Sequence, residues 1–128
     1  MDHLVPQGIA PGFGYSHVVT ATGRLIAISG QVALDEAGRL VGAGDPEAQT
    51  RQVFENLRRC LLAADATFAD VVKFTYYLTD LAALPAIRAV RDEFIDTARP
   101  PASSAVQVVS LVLPELLVEI EAFAVVPG

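Results

Sequence analysis

The segment LLVEIEAFAV, residues 116–125, decides the fold because it alternates with the two-residue period of a β-strand. Its aliphatic residues fall mainly on one face, whereas Glu119, Glu121 and Phe123 share the other face. Two carboxylates on one face of so apolar a strand have two explanations. Either that face is exposed to water, or it lines a pocket that needs a carboxylate.

The rest of the chain predicts the other elements of an α+β fold. Asp45-Pro46 favours a helix start, and Val53, Leu57 and Leu61 continue at helical spacing behind it. Alternating residues predict a strand over 71–79, and both helices are expected to cover one face of a mixed β-sheet. We also predict an irregular arm over 1–12, a hairpin of strands 15–20 and 24–29, short pairing of 31–34 with 40–41, a second helix over 84–95, and closing strands over 105–111 and 116–125.

Composition limits the possible functions. The chain has 128 residues, of which 52% are hydrophobic, so we expect one domain spanning 1–128 with a substantial core. No stretch approaches the roughly 18 apolar residues of a membrane span, so the apolar excess is expected to be buried between copies of the chain. The net charge of −6 argues against nucleic acid as a partner, because a phosphate backbone requires a basic surface.

Cysteine and histidine are scarce. Cys60 is the single cysteine and is expected to fill the core of the first helix, while a disulfide within the chain is impossible. The first residues lack the pattern of a signal peptide, which favours a cytoplasmic location. His3 and His17 form no metal-binding pattern with Cys60, and no phosphate loop, dinucleotide motif or GxSxG motif is present. We therefore expect neither metal nor cofactor, and we disfavour His17 as a general base.

The remaining candidates for a functional site are polar residues near the predicted strand ends. Gly30 would let a ligand approach backbone amides closely, and a carboxylate among apolar neighbours can hold or deliver a proton. Such a set suits proton transfer on a small ligand, although each residue alone also fits a structural role. The set comprises Tyr15, Ser29, Gly30, Gln31, Ser103, Ser104, Glu119 and Glu121.

Six segments in order resemble the Rid family, the reactive intermediate deaminases also called YjgF-like or RidA-like proteins. They are GYSHVV, LIAISGQVALD, AQTRQVFENLRRCL, DVVKFTYYLTDL, RPPASSAVQV and VEIEAFAV. The resemblance implies a chorismate-mutase-like fold and a homotrimer with a central barrel and a small-molecule cleft between subunits. It also implies cofactor-free hydrolysis of enamines and imines, such as 2-aminoacrylate, to keto acids and ammonia.

The same resemblance implies roles for individual residues. The family's tyrosine, glycine and last-strand acid correspond to Tyr15, Gly30 and Glu119, which makes Glu119 and Tyr15 the candidate catalytic residues. Glu119 would position or protonate a water and the substrate nitrogen. Glu121 would then be structural or face solvent.

One motif departs from the family. Active deaminases carry an arginine in the motif PARS that pairs with the substrate carboxylate, but residues 101–104 read PASS. Losing such a pair costs about 2 to 5 kcal/mol of binding. Either Arg88, Arg91 or Arg99 replaces that arginine, or the ligand has no such carboxylate and binds the hydroxyls of Ser103 and Ser104.

Three functions follow as alternatives. The preferred one is hydrolysis of a small imine, enamine or related C–N compound, with Ser29, Gly30, Ser103, Ser104 and Arg88 binding the ligand. The second is a non-catalytic trimer that binds a small molecule or a protein. The third is a ribonuclease, which an acidic chain disfavours.

Overall fold

The central sheet has four strands whose spatial order differs from their order along the chain. In the computed structural model, which describes residues 1–128, the sheet order is β3-β6-β4-β5. Strand β6 is antiparallel to both β3 and β4, and β5 is parallel to β4. A separate antiparallel pair consists of β1 and β2. The strands are β1 (Asp2–Leu4), β2 (Val18–Thr20), β3 (Arg24–Gln31), β4 (Val71–Leu78), β5 (Ala102–Gln107) and β6 (Val118–Val126).

Two helices cover one face of this sheet, as predicted. Helix α1 (Pro46–Ala63) begins where the Asp45 side chain accepts a hydrogen bond from the amide of Ala48, 3.1 Å away. Helix α2 (Leu84–Arg91) packs against α1. The core lies between the helices and the sheet, and its largest fully buried apolar side chains are Phe54, Leu57, Leu61, Phe74, Leu78, Ile87, Leu116 and Ile120.

The two-residue alternation of the strands is confirmed. Along β6, the positions from Val118 to Val126 alternate between buried side chains under the helices and side chains on the opposite side. We call this second side the open face, because no helix covers it. Its residues include Leu25, Ala27 and Ser29 of β3, Thr75 and Tyr77 of β4, and Glu119, Glu121 and Phe123 of β6.

The predicted hairpin is wrong. Strand β2 pairs with β1, within the segment predicted as an irregular arm, and β3 pairs with β6. Pairing with β6 brings Ile26 and Ile28 under α1 and buries them, which the three-residue β2 cannot do. Long-range burial therefore overrides the local turn signal.

Several boundaries also differ from the prediction. Helix α2 ends at Arg91, and Phe94 and Ile95 pack against the core from the following turns. Strand β5 spans 102–107 and not 105–111, because its parallel pairing with β4 begins opposite Lys73. The expected pairing of 31–34 with 40–41 consists of one bridge, Leu34 with Leu40, and a hydrogen bond from the Val41 amide.

Two further predictions concern the packing of Cys60 and the presence of a membrane-spanning helix. Cys60 is half-buried against the core, and burial raises the pKa of its thiol, so its structural role is supported. No helix combines the length and the hydrophobicity needed to cross a bilayer.

Candidate functional site

The carboxylate of Glu119 packs on the backbone of Gly30. The β3–β6 pairing is irregular between Ile28 and Gln31, so Gly30 lies where the ladder is interrupted. A methyl group added at Gly30 would overlap the Glu119 carboxylate and would lie 2.7 Å from its carboxyl carbon. Glycine at this position therefore allows Glu119 to lie against the end of β3.

The two acids of the open face differ in their partners. The Tyr77 hydroxyl donates a hydrogen bond to Glu121, and this bond, with the charges of Glu121 and Glu119, raises the pKa of Tyr77. Glu119 lies opposite Tyr77 in the strand register, but it belongs to none of the chain's ion pairs. Glu121 thus has a structural contact, whereas Glu119 is half-buried and available to a ligand.

A polar cavity of about 710 Å³ opens beside Gly30. The Asn56 side chain donates to the carbonyls of Val32 and Leu34, each at 3.0 Å, and so fixes the loop that forms one wall. Gly30 connects this cavity with Glu119. The other lining residues are Gln31, Asp35, Glu36, Gln52 and Arg59.

Tyr15 lies at the opposite edge of the sheet. The amide of the adjacent Ser16 donates to the Pro101 carbonyl at 3.1 Å, so this segment runs beside the start of β5. The Tyr15 ring packs edge-to-face with His17, with a centroid distance of 5.3 Å. His17 donates from Nε2 to the Ala10 carbonyl at 2.7 Å, which leaves that nitrogen unavailable as a base. A cavity of about 420 Å³ lies between Tyr15 and the N-terminal segment.

The two serines of β5 face opposite sides of the sheet. Ser103 pairs with Phe74 and Ser104 with Thr75, so Ser103 is on the helix side and Ser104 is on the open face. The Lys73 ammonium donates to the Ser104 hydroxyl at 2.7 Å. Ser103 is half-buried.

One copy of the chain does not bring all the predicted site residues together. Ser29, Gly30 and Glu119 lie near the β3 edge, whereas Tyr15 and the two serines lie at the β5 edge. Three strand spacings separate these edges, a distance of about 14 Å. Ser29 is exposed, and its carbonyl accepts a hydrogen bond from the Gln31 side chain at 3.0 Å.

The three candidate arginines differ in burial. Arg88 and Arg99 are exposed, whereas Arg91 is 5% exposed and donates from Nε and Nη2 to Asp92 at 3.0 and 2.9 Å. The sequence contained a signal for this burial. Ile87, Val90 and Arg91 follow the spacing of one helix face, and the first two are core residues.

The hydroxyl of Tyr76 is a further buried polar group on the helix side of the sheet. The residue is 3% exposed, and its hydroxyl is buried near the Arg91 guanidinium. Burial raises the pKa of Tyr76 to about 12, although the nearby Arg91 guanidinium acts in the opposite direction. Alternation predicted only that Tyr76 shares the core face with Phe74 and Leu78. No cluster of three or more His, Cys, Asp or Glu side chains is arranged to hold a metal ion.

Comparison with known proteins agrees with the resemblance found in the sequence. The model of the endoribonuclease L-PSP family matches residues 6–126. The 3-aminoacrylate deaminase RutC from Acinetobacter baylyi is 36% identical over 94% of each chain. A RutC family protein from Synechocystis sp. is 37% identical over 94% of this chain and 92% of that protein.

Solved structures agree with the fold. The conserved Rid family protein YyfB from Yersinia pestis superposes with a TM-score of 0.89, at 43% identity over 98% of both chains. RidA from a Psychrobacter species gives a TM-score of 0.75, at 36% identity over 91% of this chain and 92% of that chain. The chorismate-mutase-like α+β fold predicted from the sequence is thereby confirmed, and the chain belongs to the endoribonuclease L-PSP family, which includes the YjgF, Rid and RutC proteins.

Proposed function

We propose that the chain is a RidA-like hydrolase that converts small imines or enamines to carbonyl compounds and ammonia without a cofactor. The observation that carries this proposal is the half-buried, unpaired carboxylate of Glu119, held against Gly30 beside a polar cavity. The similarity to a 3-aminoacrylate deaminase, at 36% identity over 94% of each chain, supports the same chemistry.

In this reaction, Glu119 moves protons between water and the substrate. It orients a water that attacks the carbon of the C=N bond, so that a C–O bond forms and the nitrogen takes up a proton. A second proton transfer to the nitrogen makes it a leaving group. The C–N bond then breaks, ammonia departs and the C=O bond forms, with one water consumed for each ammonia released.

We further propose that the site lies between subunits of a homotrimer. The two groups of site residues occupy opposite edges of the sheet, so a second copy must bring the β5 edge to the β3 edge. Tyr15, Ser103 and Arg88 of one copy would then contact a ligand held at Ser29, Gly30 and Glu119 of the next, whereas Ser104 faces the other side of its sheet, next to Lys73. Large apolar side chains exposed on the open face and after β5 support this assembly: Leu25, Phe123, Val109, Val112 and Leu113.

The test is ammonia release from imines that an amino-acid oxidase generates in the assay. Glu119→Gln should lower the rate at least 100-fold, within the range for loss of a general acid or base. Glu121→Gln is the matched control, because Glu121 lies two residues away on the same face, and it should retain activity within tenfold. Equal rates for the two variants would reject the role of Glu119.

A non-catalytic ligand-binding trimer is the second candidate, and it is favoured by the serine at position 103. In that case the wild type would bind a small ligand without turnover, and Glu119→Gln would keep the affinity within tenfold. A ribonuclease is disfavoured, because four of the nine Lys and Arg residues, Arg39, Arg51, Arg58 and Arg91, are already in ion pairs. Steeply salt-dependent RNA cleavage would favour it instead.

A further inference from the structure

We propose that Arg59 of helix α1 binds the carboxylate of a small imino acid in the polar cavity beside Gly30. The cavity has a volume of about 710 Å³, within the range of small-molecule sites, and both Arg59 and Gly30 line it. The Glu119 carboxylate packs on the same glycine. The proposal deepens the function proposed above, and its catalytic meaning rests on that function, because it names the group that holds the acid end of the substrate.

Arg59 is a cation whose donors are not used within the chain. It belongs to none of the ion pairs, and its guanidinium donates no hydrogen bond to another residue. The adjacent Arg58 differs, because its Nη2 and Nε donate to Glu55 at 2.6 and 3.2 Å. The planar, paired donors of a free guanidinium match the two oxygens of a carboxylate, so Arg59 is equipped to bind one.

The helical wall of the cavity is held in place by hydrogen bonds that do not involve Arg59. Gln52, Asn56 and Arg59 follow each other at intervals of four and three residues, so they share one face of α1. Gln52 donates to the Asn56 side-chain oxygen at 2.9 Å, and the Asn56 side chain donates to the carbonyls of Val32 and Leu34. These amide groups fix the wall, whereas the guanidinium one turn further along remains free for a ligand.

Two acids on the opposite wall limit the charge of the ligand. Asp35 accepts from the amides of Ala37 and Arg39, each at 2.9 Å, and its second oxygen lies 3.9 Å from Nε of Arg39. Glu36 is exposed and belongs to no ion pair. These carboxylates repel a dianion such as phosphate, but they attract a protonated nitrogen. The cavity therefore suits a ligand that carries one carboxylate and a protonated imine nitrogen.

The position of Arg59 also bears on the serine at position 103. Gly30 and Gln31, which line the cavity, are the last residues of β3, an edge strand of the sheet. The homotrimer proposed above brings the β5 edge of a neighbouring copy to this edge. Arg59 would then supply, from the opposite side of the cleft, the positive charge that Ser103 lacks. A substrate with a carboxylate remains suitable for the chain on this basis.

The test is calorimetric titration of the full chain with pyruvate, neutral pyruvamide and inorganic phosphate. We expect saturable binding of pyruvate and at least tenfold weaker binding of pyruvamide and phosphate. Arg59→Gln should weaken pyruvate binding at least tenfold. Arg58→Gln is the matched control, since it removes the same charge from the adjacent exposed residue, which does not line the cavity, and its affinity should stay within twofold of the wild type.

Arg59→Lys tests whether the paired donors matter in addition to the charge. It keeps the positive charge but loses the planar fork, so its pyruvate affinity should fall between those of Arg59→Gln and the wild type. Because Arg59 is exposed and unpaired, all three variants should fold and melt as the wild type does. Absence of saturable pyruvate binding by the wild type, equal affinity in Arg59→Gln and Arg58→Gln, or pyruvamide or phosphate binding as tight as pyruvate would each overturn the proposal.

These outcomes can be separated from those of the proposed function. If the wild type releases ammonia and Arg59→Gln binds pyruvate as the wild type does, the hydrolase stands and this site fails. If Arg59→Gln loses pyruvate binding while the wild type releases no ammonia, the site stands and the hydrolase fails. If both stand, Arg59→Gln should raise KM for a 2-imino acid at least tenfold and change kcat less than threefold.

Discussion

At the residue scale, the position of Glu119 depends on the absence of a side chain at Gly30. The contact involves the far end of a flexible carboxylate and not backbone, so Gly30→Ala would displace Glu119 more readily than it would unfold the chain. Glu119 and Glu121 also differ in their hydrogen bonds, since Tyr77 donates a hydrogen bond to Glu121 only.

Gly30→Ala should therefore reduce ammonia release nearly as much as Glu119→Gln does, while the free energy of unfolding changes by less than about 2 kcal/mol. The physical reason is that the new methyl group takes the place of the carboxylate. Activity and urea unfolding of Gly30→Ala, Glu119→Gln and the double variant would measure this effect. Fully additive losses of activity would contradict it, because the two residues would then act independently.

The buried phenol of Tyr76 gives a pH prediction. Burial raises its pKa from near 10 to about 12, so between these values the folded chain keeps a proton that the unfolded chain has lost. The stability that this phenol contributes is fully present below pH 10 and is lost as the pH rises to about 12. Each pKa unit corresponds to about 1.4 kcal/mol, so the loss is roughly 2 to 3 kcal/mol.

Chemical unfolding at several pH values would test this prediction against Tyr76→Phe. The variant lacks the ionisable group, so its unfolding free energy should fall less steeply than that of the wild type between pH 10 and 12. Parallel curves for the two proteins would show that Tyr76 does not contribute to the alkaline loss of stability.

At the element scale, a polar residue connects helix α1 to strand β6. Gln49 is fully buried and donates from its side chain to the carbonyls of Gly42 and Glu115, at 3.1 and 3.0 Å. Its side-chain oxygen accepts from the amide of Leu117 at 2.8 Å. These three bonds fix where β6 begins, and hence where Glu119 lies.

Gln49→Ala should lower the free energy of unfolding by about 2 to 4 kcal/mol, because it removes three hydrogen bonds and leaves buried backbone groups unpaired. Gln52→Ala is the control, since Gln52 lies on the same helix and bonds only to the side chain of Asn56. Gln52→Ala should lower the free energy of unfolding by less than about 1 kcal/mol. Urea unfolding would measure both values, and equal losses would contradict the assigned role of Gln49.

Helix α2 shows how much an element's pattern can predict. Its apolar spacing predicts the buried face through Ile87 and Val90, and the same spacing includes Arg91. An arginine in a sequence is usually predicted to lie on the surface, because burial of its charge costs free energy. Only the tertiary structure shows that the Arg91 guanidinium is buried, where it lies next to Tyr76, Asp92 and Gly14.

At the scale of the whole molecule, the open face of the sheet exposes apolar side chains that a single copy does not cover. Leu25 is 65% exposed and Phe123 is 39% exposed, on adjacent strands of this face. Burial of each large aliphatic side chain contributes about 1.5 to 3 kcal/mol, which favours association of copies through this face.

Leu25→Lys should therefore shift the proposed homotrimer towards monomer, because a charge would be buried in the proposed interface. Leu62→Lys is a matched control, since Leu62 is also 65% exposed but lies on helix α1. The Leu62→Lys variant should keep the oligomeric state of the wild type. Sedimentation velocity at several concentrations would distinguish the two, and a trimeric Leu25→Lys variant would show that the open face is not the interface.

The sequence by itself determined the class of both helices and of strands β3, β4 and β6, and the faces of the residues in β4 and β6, because periods of two and 3.6 residues are local properties of the backbone. It therefore placed Glu119 and Glu121 together, and its motifs indicated the family. The tertiary structure alone decided the pairing of β3 with β6, the separation of Gly30 from Ser103, and the burial of Arg91 beside Tyr76. These features depend on contacts between residues distant along the chain, where burial outweighs local turn signals and the usual preference of a charge for water.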